Sequence, residues 1–207
     1  MMNLPLHEKS ICMHCKEEGS RRNGTEVSLL LDMSSLLLAS VKPRDILTGF
    51  LAKVLAYLKL DAGRIYLMDA DGELLRLAAC QDLGSKRFET IKIGEGFSGK
   101  AVRTRSLTAH YVSAADERER AALAAGRGVK VVFSFPLLLA DAIVGVVIVA
   151  SKRLFMLSRE RVDLLMALGH QAAIAVNHAR LYENLEQEEK MVDVFPVPSS
   201  TTLSTIS

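Results

Sequence analysis

The residues from Gly94 to Lys100, Gly94-Glu95-Gly96-Phe97-Ser98-Gly99-Lys100, combine types and spacing that could handle a phosphate. Gly94-x-Gly96-x-x-Gly99 spells the dinucleotide-binding fingerprint, in which glycines let the backbone approach a pyrophosphate at a helix N-terminus. That mechanism needs a buried parallel strand before the glycines and a long helix after them. Here the preceding strand carries Thr90 and Lys92, and Arg103 to Ser106 interrupt the following helix after about two turns. No strand–helix–strand unit follows, because the next strands form hairpins. What remains is a tight turn where side chains would clash. It delivers the amides of Phe97, Ser98 and Gly99 to a short helix N-terminus, which favours an anionic ligand group.

Other groups of reactive residues are incomplete. Cys12-x-x-Cys15, with His7 and His14 nearby, is half of a tetrahedral zinc site. Only two chains together supply both cysteine pairs, so the reading taken is a flexible reduced leader and no metal site is assigned. Cys80 ends a strand and has no resolving partner for a thiol redox cycle, so it reads as a small core or pocket-edge residue. His110, His170 and His178 lie outside any phosphoacceptor context, and no ATP-binding motif follows. His110, on a strand, is a candidate pocket residue; His178 falls on a helical seam. With no nucleophile–base pair in sight, no catalytic residue is assigned and no enzyme is expected.

Bulk properties narrow the class further. The chain has 207 residues, with 26 basic against 24 acidic ones. A nucleic-acid partner usually requires a clustered basic face, and this balance offers none. Met1 to Ser10 contains no apolar run, so no secretory signal is expected. Three cysteines without an export signal point to reduced thiols in the cytoplasm. Val129 to Ala150 is apolar, but Lys130, Pro136 and Asp141 interrupt it and Ala140-Asp141 splits it into two strand-sized runs. A buried hairpin fits these runs better than a membrane span.

The elements that would position these residues follow from periodicity. Residues 1–24 are a polar leader, and Thr25 caps a helix over Glu26 to Ser40. Pro43 sits in the first turn of a second helix, with Leu47, Phe50, Leu51, Val54, Leu55 and Leu58 at helical spacing. The period then changes. Arg64 to Met68, Glu73 to Cys80, Phe88 to Ile93 and Leu107 to Val112 read as strands, with the glycine turn and a helix through Val102 between the last two. Asp116 to Ala125 is a charged helix closed by Gly126. Val129 to Leu139 and Ile143 to Ser151 are strands without polar alternation, hence covered on both faces. Ser158 caps a final helix running to about Lys190, roughly 48 Å at 1.5 Å per residue. The tail, 191–207, with Pro196 and Pro198, reads as disordered.

In this order the motifs resemble the GAF domain family. Gly94-Glu95-Gly96-Phe97-Ser98-Gly99 is similar to the family's GEG-apolar-small-G segment, and Ile65 to Asp71 to its first strand and turn. Phe135-Pro136-Leu137 matches its PL strand and Ile143-Val144-Gly145-Val146 its xIGV strand. Gln171 to Ala175 and Ala179 to Tyr182 resemble the close of its last helix. The resemblance covers about Thr25 to Glu188, read as a single domain over 25–190. It implies an α+β, PAS-like fold: about six antiparallel strands, with the N- and C-terminal helices packed on one face and a ligand pocket on the other. By family position, Tyr66, Phe97, Phe133 and Phe135 are pocket candidates, joined by Ser98 and His110. Which face of its strand Phe133 and Phe135 share with the pocket is left open by the sequence. Members that bind cyclic nucleotides carry an Asn-Lys, Phe and Asp-Glu set. The matching places here are Ser151-Lys152, Phe155 and Arg159-Glu160, so the asparagine and aspartate are lost. The plain alternative is that these residues shape the strand-to-helix corner.

The resemblance implies a sensor of bacterial signalling, such as a two-component system. An unidentified small molecule would shift the pocket, and terminal helices paired in a homodimer would carry the shift to an output protein. The final helix supports pairing. Leu165, Leu168, Ala172, Ala175, Ala179 and Tyr182 form one stripe, and Ile174, His178, Leu181 and Leu185 a second. A ligand-free dimerising module remains an alternative. A GAF-type enzyme such as a methionine sulfoxide reductase is disfavoured, since that family uses several cysteines.

Overall fold

The hairpin β5–β6 anchors the molecule, and its apolar composition explains why. In the computed structural model, which describes residue 28 and residues 31–35, 42–81, 89–93, 96–112 and 128–194, β5 (Val131–Leu139) and β6 (Ala142–Ser151) pair antiparallel and are buried almost throughout. β1 (Ala62–Met68) pairs with the other edge of β6. β2 (Leu74–Gln81), β3 (Thr90–Lys92) and β4 (Thr108–Tyr111) complete a six-stranded sheet in the order β3-β2-β1-β6-β5-β4, every neighbour antiparallel. The central strands are thus the ones without polar alternation, as two-sided burial requires. Gly145 is needed at the β1–β6 junction. A Cβ there would overlap the carbonyl oxygen of Tyr66.

One face of this sheet is covered by long helices. α1 (Pro43–Leu58) starts on a proline and buries Ile46, Leu47, Phe50, Leu51, Val54, Leu55 and Leu58. It stops because Lys59 turns left-handed (φ 53°), sending its amide to Ala56 O and that of Leu60 to Leu55 O. α3 (Arg159–Val194) begins where the Ser158 hydroxyl accepts the Arg161 amide at 3.4 Å. Its Leu165, Leu168, Ala172, Val176 and Ala179 pack with α1 onto Ile65, Phe133, Phe135, Val147 and Val149. Residues 31–35 are helical, and Met33 joins the same core. Beyond Arg180 the helix leaves the sheet, exposing Leu181, Tyr182 and Leu185. At 36 residues α3 is roughly 54 Å long.

The other face is covered differently. α2 (Gly96–Thr104) spans nine residues and lays Ala101 and Val102 against Tyr66, Leu75, Val132, Val146 and Ile148.

The fold matches the sequence reading in class, strand number and pairing, with small boundary differences. β1 begins at Ala62 and α3 extends to Val194, past the expected end near Lys190. The leader with Cys12 and Cys15, the cap at Thr25, Gly94-Glu95, the helix expected over 116–125 and residues 195–207 lie outside the described residues.

Candidate functional site

Partners directly opposite in an antiparallel pair project to the same face, so the registers sort the sheet's side chains. Arg64 opposes Ile148, Tyr66 opposes Val146, and Ser134 opposes Ile148 on its other side. His110 opposes Val132 and Thr108 opposes Ser134. All of these share the α2 face. Tyr66, Ser98 and Ser134 are each about 1% exposed and Arg64 is 2% exposed; His110 is half-buried. The α2 face therefore holds a buried guanidinium, a phenol, the hydroxyls of Ser98, Ser134 and Thr108 and an imidazole among apolar side chains.

Ser134 is the unusual member. Its Oγ is buried and has no hydrogen-bond partner among the described residues. Leaving a buried hydroxyl unsatisfied costs about 1–3 kcal/mol.

The structure divides the six sequence candidates. Tyr66, Ser98 and His110 belong to the α2 face, and Phe97 falls in the first turn of α2. Phe133 and Phe135 do not join them. Phe133 opposes Val149 and Phe135 opposes Val147, and both pack under α1 and α3. The six do not surround one space. The reason is parity: β5 is apolar at nearly every position, so composition cannot say which alternate set faces which side, and a slip of one residue exchanges them. The alternate set, Val132 and Ser134, is the one beside α2.

Two residues on that face were missed by sequence reasoning. Arg64 is a charge inside the strand Ala62–Met68, and Ser134 a hydroxyl inside Val-Val-Phe-Ser-Phe-Pro-Leu. For Ser134, a hydroxyl inside a strand read as covered on both faces was the available signal; Arg64 stood at the start of its expected strand and gave no such signal.

Cys80 is exposed at the end of β2 and opposes Arg64. A register shift between Ile65 and Tyr66 resets the alternation, so Ala79 takes the core position and Cys80 the edge of the α2 face. His170 and His178 are exposed on α3; His170 Nδ1 lies 2.8 Å from Leu138 O. Arg180 Nη2 donates to Met68 O at 3.1 Å. These two bonds tie α3 to the ends of β5 and β1.

The corner after β6 is built around Asp61. Its Oδ2 accepts the Ser151 hydroxyl at 3.2 Å and the Lys152 amide at 2.8 Å. Phe155 packs against Phe133 with ring centroids 5.3 Å apart. Hydrogen bonds from its own backbone and from Ser158, with a smaller contribution from Arg159, hold the Glu160 carboxyl below its ordinary pKa. Ser151, Phe155 and Glu160 thus each have a role in shaping the corner.

Comparison with known proteins agrees with this architecture. The family model described as GAF domain matches residues 41–177. The chain therefore belongs to the GAF domain family. Among solved structures it is similar to the GAF domain of a phosphoenolpyruvate-protein phosphotransferase from Acinetobacter, at 20% identity and a TM-score of 0.65, covering 77% of this chain and 98% of that one. It is also similar to the GAF domain of a putative sensor histidine kinase from Pseudomonas syringae pv. tomato, at 17% identity and a TM-score of 0.62, covering 84% and 99%. A third similar structure is a free methionine-R-sulfoxide reductase from Neisseria meningitidis in complex with its substrate, at 17% identity and a TM-score of 0.64, covering 76% and 91%. At these identities the structural likeness shows a shared fold alone. No curated protein sequence matches. Among the described residues, no helix is long and apolar enough to cross a membrane.

Proposed function

We propose that this chain is a cytoplasmic regulatory sensor of bacterial signal transduction that binds a small molecule on the α2 face and pairs as a homodimer through its terminal helices. The observation that carries the reading is the buried Ser134 hydroxyl, without a hydrogen-bond partner among the described residues, on the sheet face that also holds Tyr66, Ser98 and His110. A ligand supplying one polar atom to Ser134 would recover most of the desolvation cost. α2 covers the same face and begins at Gly96, and an anionic group suits a helix N-terminus. Dimerisation is supported by Leu181, Tyr182 and Leu185, which are more than half exposed at the free end of α3, and by Leu31, exposed on the preceding helical segment. The bonds from Arg180 to Met68 O and from His170 to Leu138 O give the sheet a mechanical grip on α3. A shift on the α2 face would travel through β1 and β5 to that helix and to an output protein. Titration calorimetry against nucleotides and small organic anions tests the reading. Saturable binding lost in Ser134→Val supports it, and absence of binding across the panel defeats it.

A ligand-free dimerising module is the second reading. It is favoured by the exposed end of α3, which needs no ligand to act. A GAF-type enzyme such as a methionine sulfoxide reductase is the least supported reading, because Cys80 is the one cysteine of the domain read over 25–190.

A further inference from the structure

We propose that a second site, a cationic cleft between the C-terminus of α1 and the β6–α3 corner, binds a small organic anion carrying a planar ring. The cleft has a volume of about 380 Å³ and is lined by Tyr57, Leu58, Lys59, Arg153, Leu154, Phe155 and Arg161. That size falls in the range of small-molecule sites, about 300–1,000 Å³. Because Phe155 packs on Phe133 of the helix-covered face, the cleft lies across the sheet from Ser134 and is independent of the α2-face reading.

The charge of the cleft is one-sided. Three of its residues are cations and none is a carboxylate. Among the described residues, Lys59, Arg153 and Arg161 form no ion pair. The carboxylates of the corner are committed elsewhere. Asp61 takes the Ser151 hydroxyl and the Lys152 amide, and Glu160 is held by its own backbone and Ser158. Arg153 is held in place by neutral partners: its Nη2 donates to Lys59 O at 2.7 Å, and its amide donates to Ser151 Oγ at 3.0 Å. A guanidinium positioned by a carbonyl keeps spare N–H donors. Such a fork matches a carboxylate or phosphate.

The rest of the lining is apolar and partly aromatic. Phe155 is fixed by its contact with Phe133, and Tyr57 and Phe155 are half-buried. A ring on the ligand gains dispersion and stacking against them that a bare anion does not. Leu154 is 64% exposed at the rim, so a ligand with a flat apolar part covers surface now in water.

The test is nuclear magnetic resonance titration of the labelled chain with phenyl phosphate at constant ionic strength, since exposed cations are screened by salt. Saturable shifts are expected at the amides of Lys59, Arg153, Leu154 and Arg161. In Arg161→Ala, whose exposed side chain supports no other element, affinity should fall by about tenfold, the loss of one charge-assisted contact. Arg103→Ala, an exposed cation of α2, should bind as the unsubstituted chain does. The unchanged remainder of the spectrum reports that each variant is folded. The proposal is overturned by any of three results: no saturation in the millimolar range, inorganic phosphate binding as tightly as phenyl phosphate, or shifts confined to α2 and β4.

Discussion

The two faces of the sheet use the same strands for opposite purposes. Under α1 and α3, Ile65, Phe133, Phe135, Val147 and Val149 meet long helices, and the interior is apolar. On the other face, the cover among the described residues is the nine-residue α2, and this face also holds Arg64, Ser98, Ser134 and His110. Adjacent residues on β5 alternate between these environments. The helix-covered face stabilises the domain by burying hydrocarbon, at about 25 cal/mol per Å². The α2 face buries less hydrocarbon and more polar surface. Such a division is what the proposed sensor role would use, one side holding shape while the other responds.

Substitutions at neighbouring positions can break the comparison. Phe135→Ala removes a ring from the helix-covered core and should cost about 3–5 kcal/mol in urea unfolding. A cost below about 1 kcal/mol would mean that face is not the main core. Gly145→Ala should cost about 1–3 kcal/mol, because the new methyl meets the Tyr66 carbonyl oxygen and forces β1 from β6. Ser134→Ala, one residue from Phe135, should leave the free chain unchanged or more stable by up to about 1 kcal/mol, since an unpaired buried hydroxyl is deleted. A clear loss of stability there would show that Ser134 is satisfied within the protein. Leu181→Glu with Leu185→Glu should change subunit stability by less than about 0.5 kcal/mol, both being exposed. The same pair should convert a dimer to a monomer in light scattering.

The smallest effect is electrostatic. Glu160 has a lowered folded-state pKa, so its contribution is present above the unfolded carboxylate range and is lost as pH falls through the folded value. Glu160→Gln should therefore lower the melting temperature slightly at neutral pH. The gap to the unsubstituted chain should close in acid.

Much of this architecture was legible in the sequence because periodicity and punctuation agreed. Pro43 marked the start of α1, Ser158 that of α3, and Ala140-Asp141 the β5–β6 turn. The Ile-Val-Gly-Val motif has a physical basis in the close approach at Gly145. The site was less legible. Of the residues named by family position, Tyr66 lies on the α2 face, while Phe133 and Phe135 lie on the other. Parity in a strand without polar alternation is decided by pairing with β6 and by the helices above it, which are tertiary facts. Arg64 and Ser134 escaped notice for a related reason. Ser134 is one polar residue in an apolar run and Arg64 stands at the start of its expected strand, and the meaning of each depends on which side it faces.

The most direct test of the central claim is native mass spectrometry of the purified chain, unsubstituted and as Ser134→Val. The account predicts a dimer carrying extra small-molecule mass, with the mass lost and the dimer kept in Ser134→Val. A bare monomer, or bound mass unaffected by Ser134→Val, would contradict it.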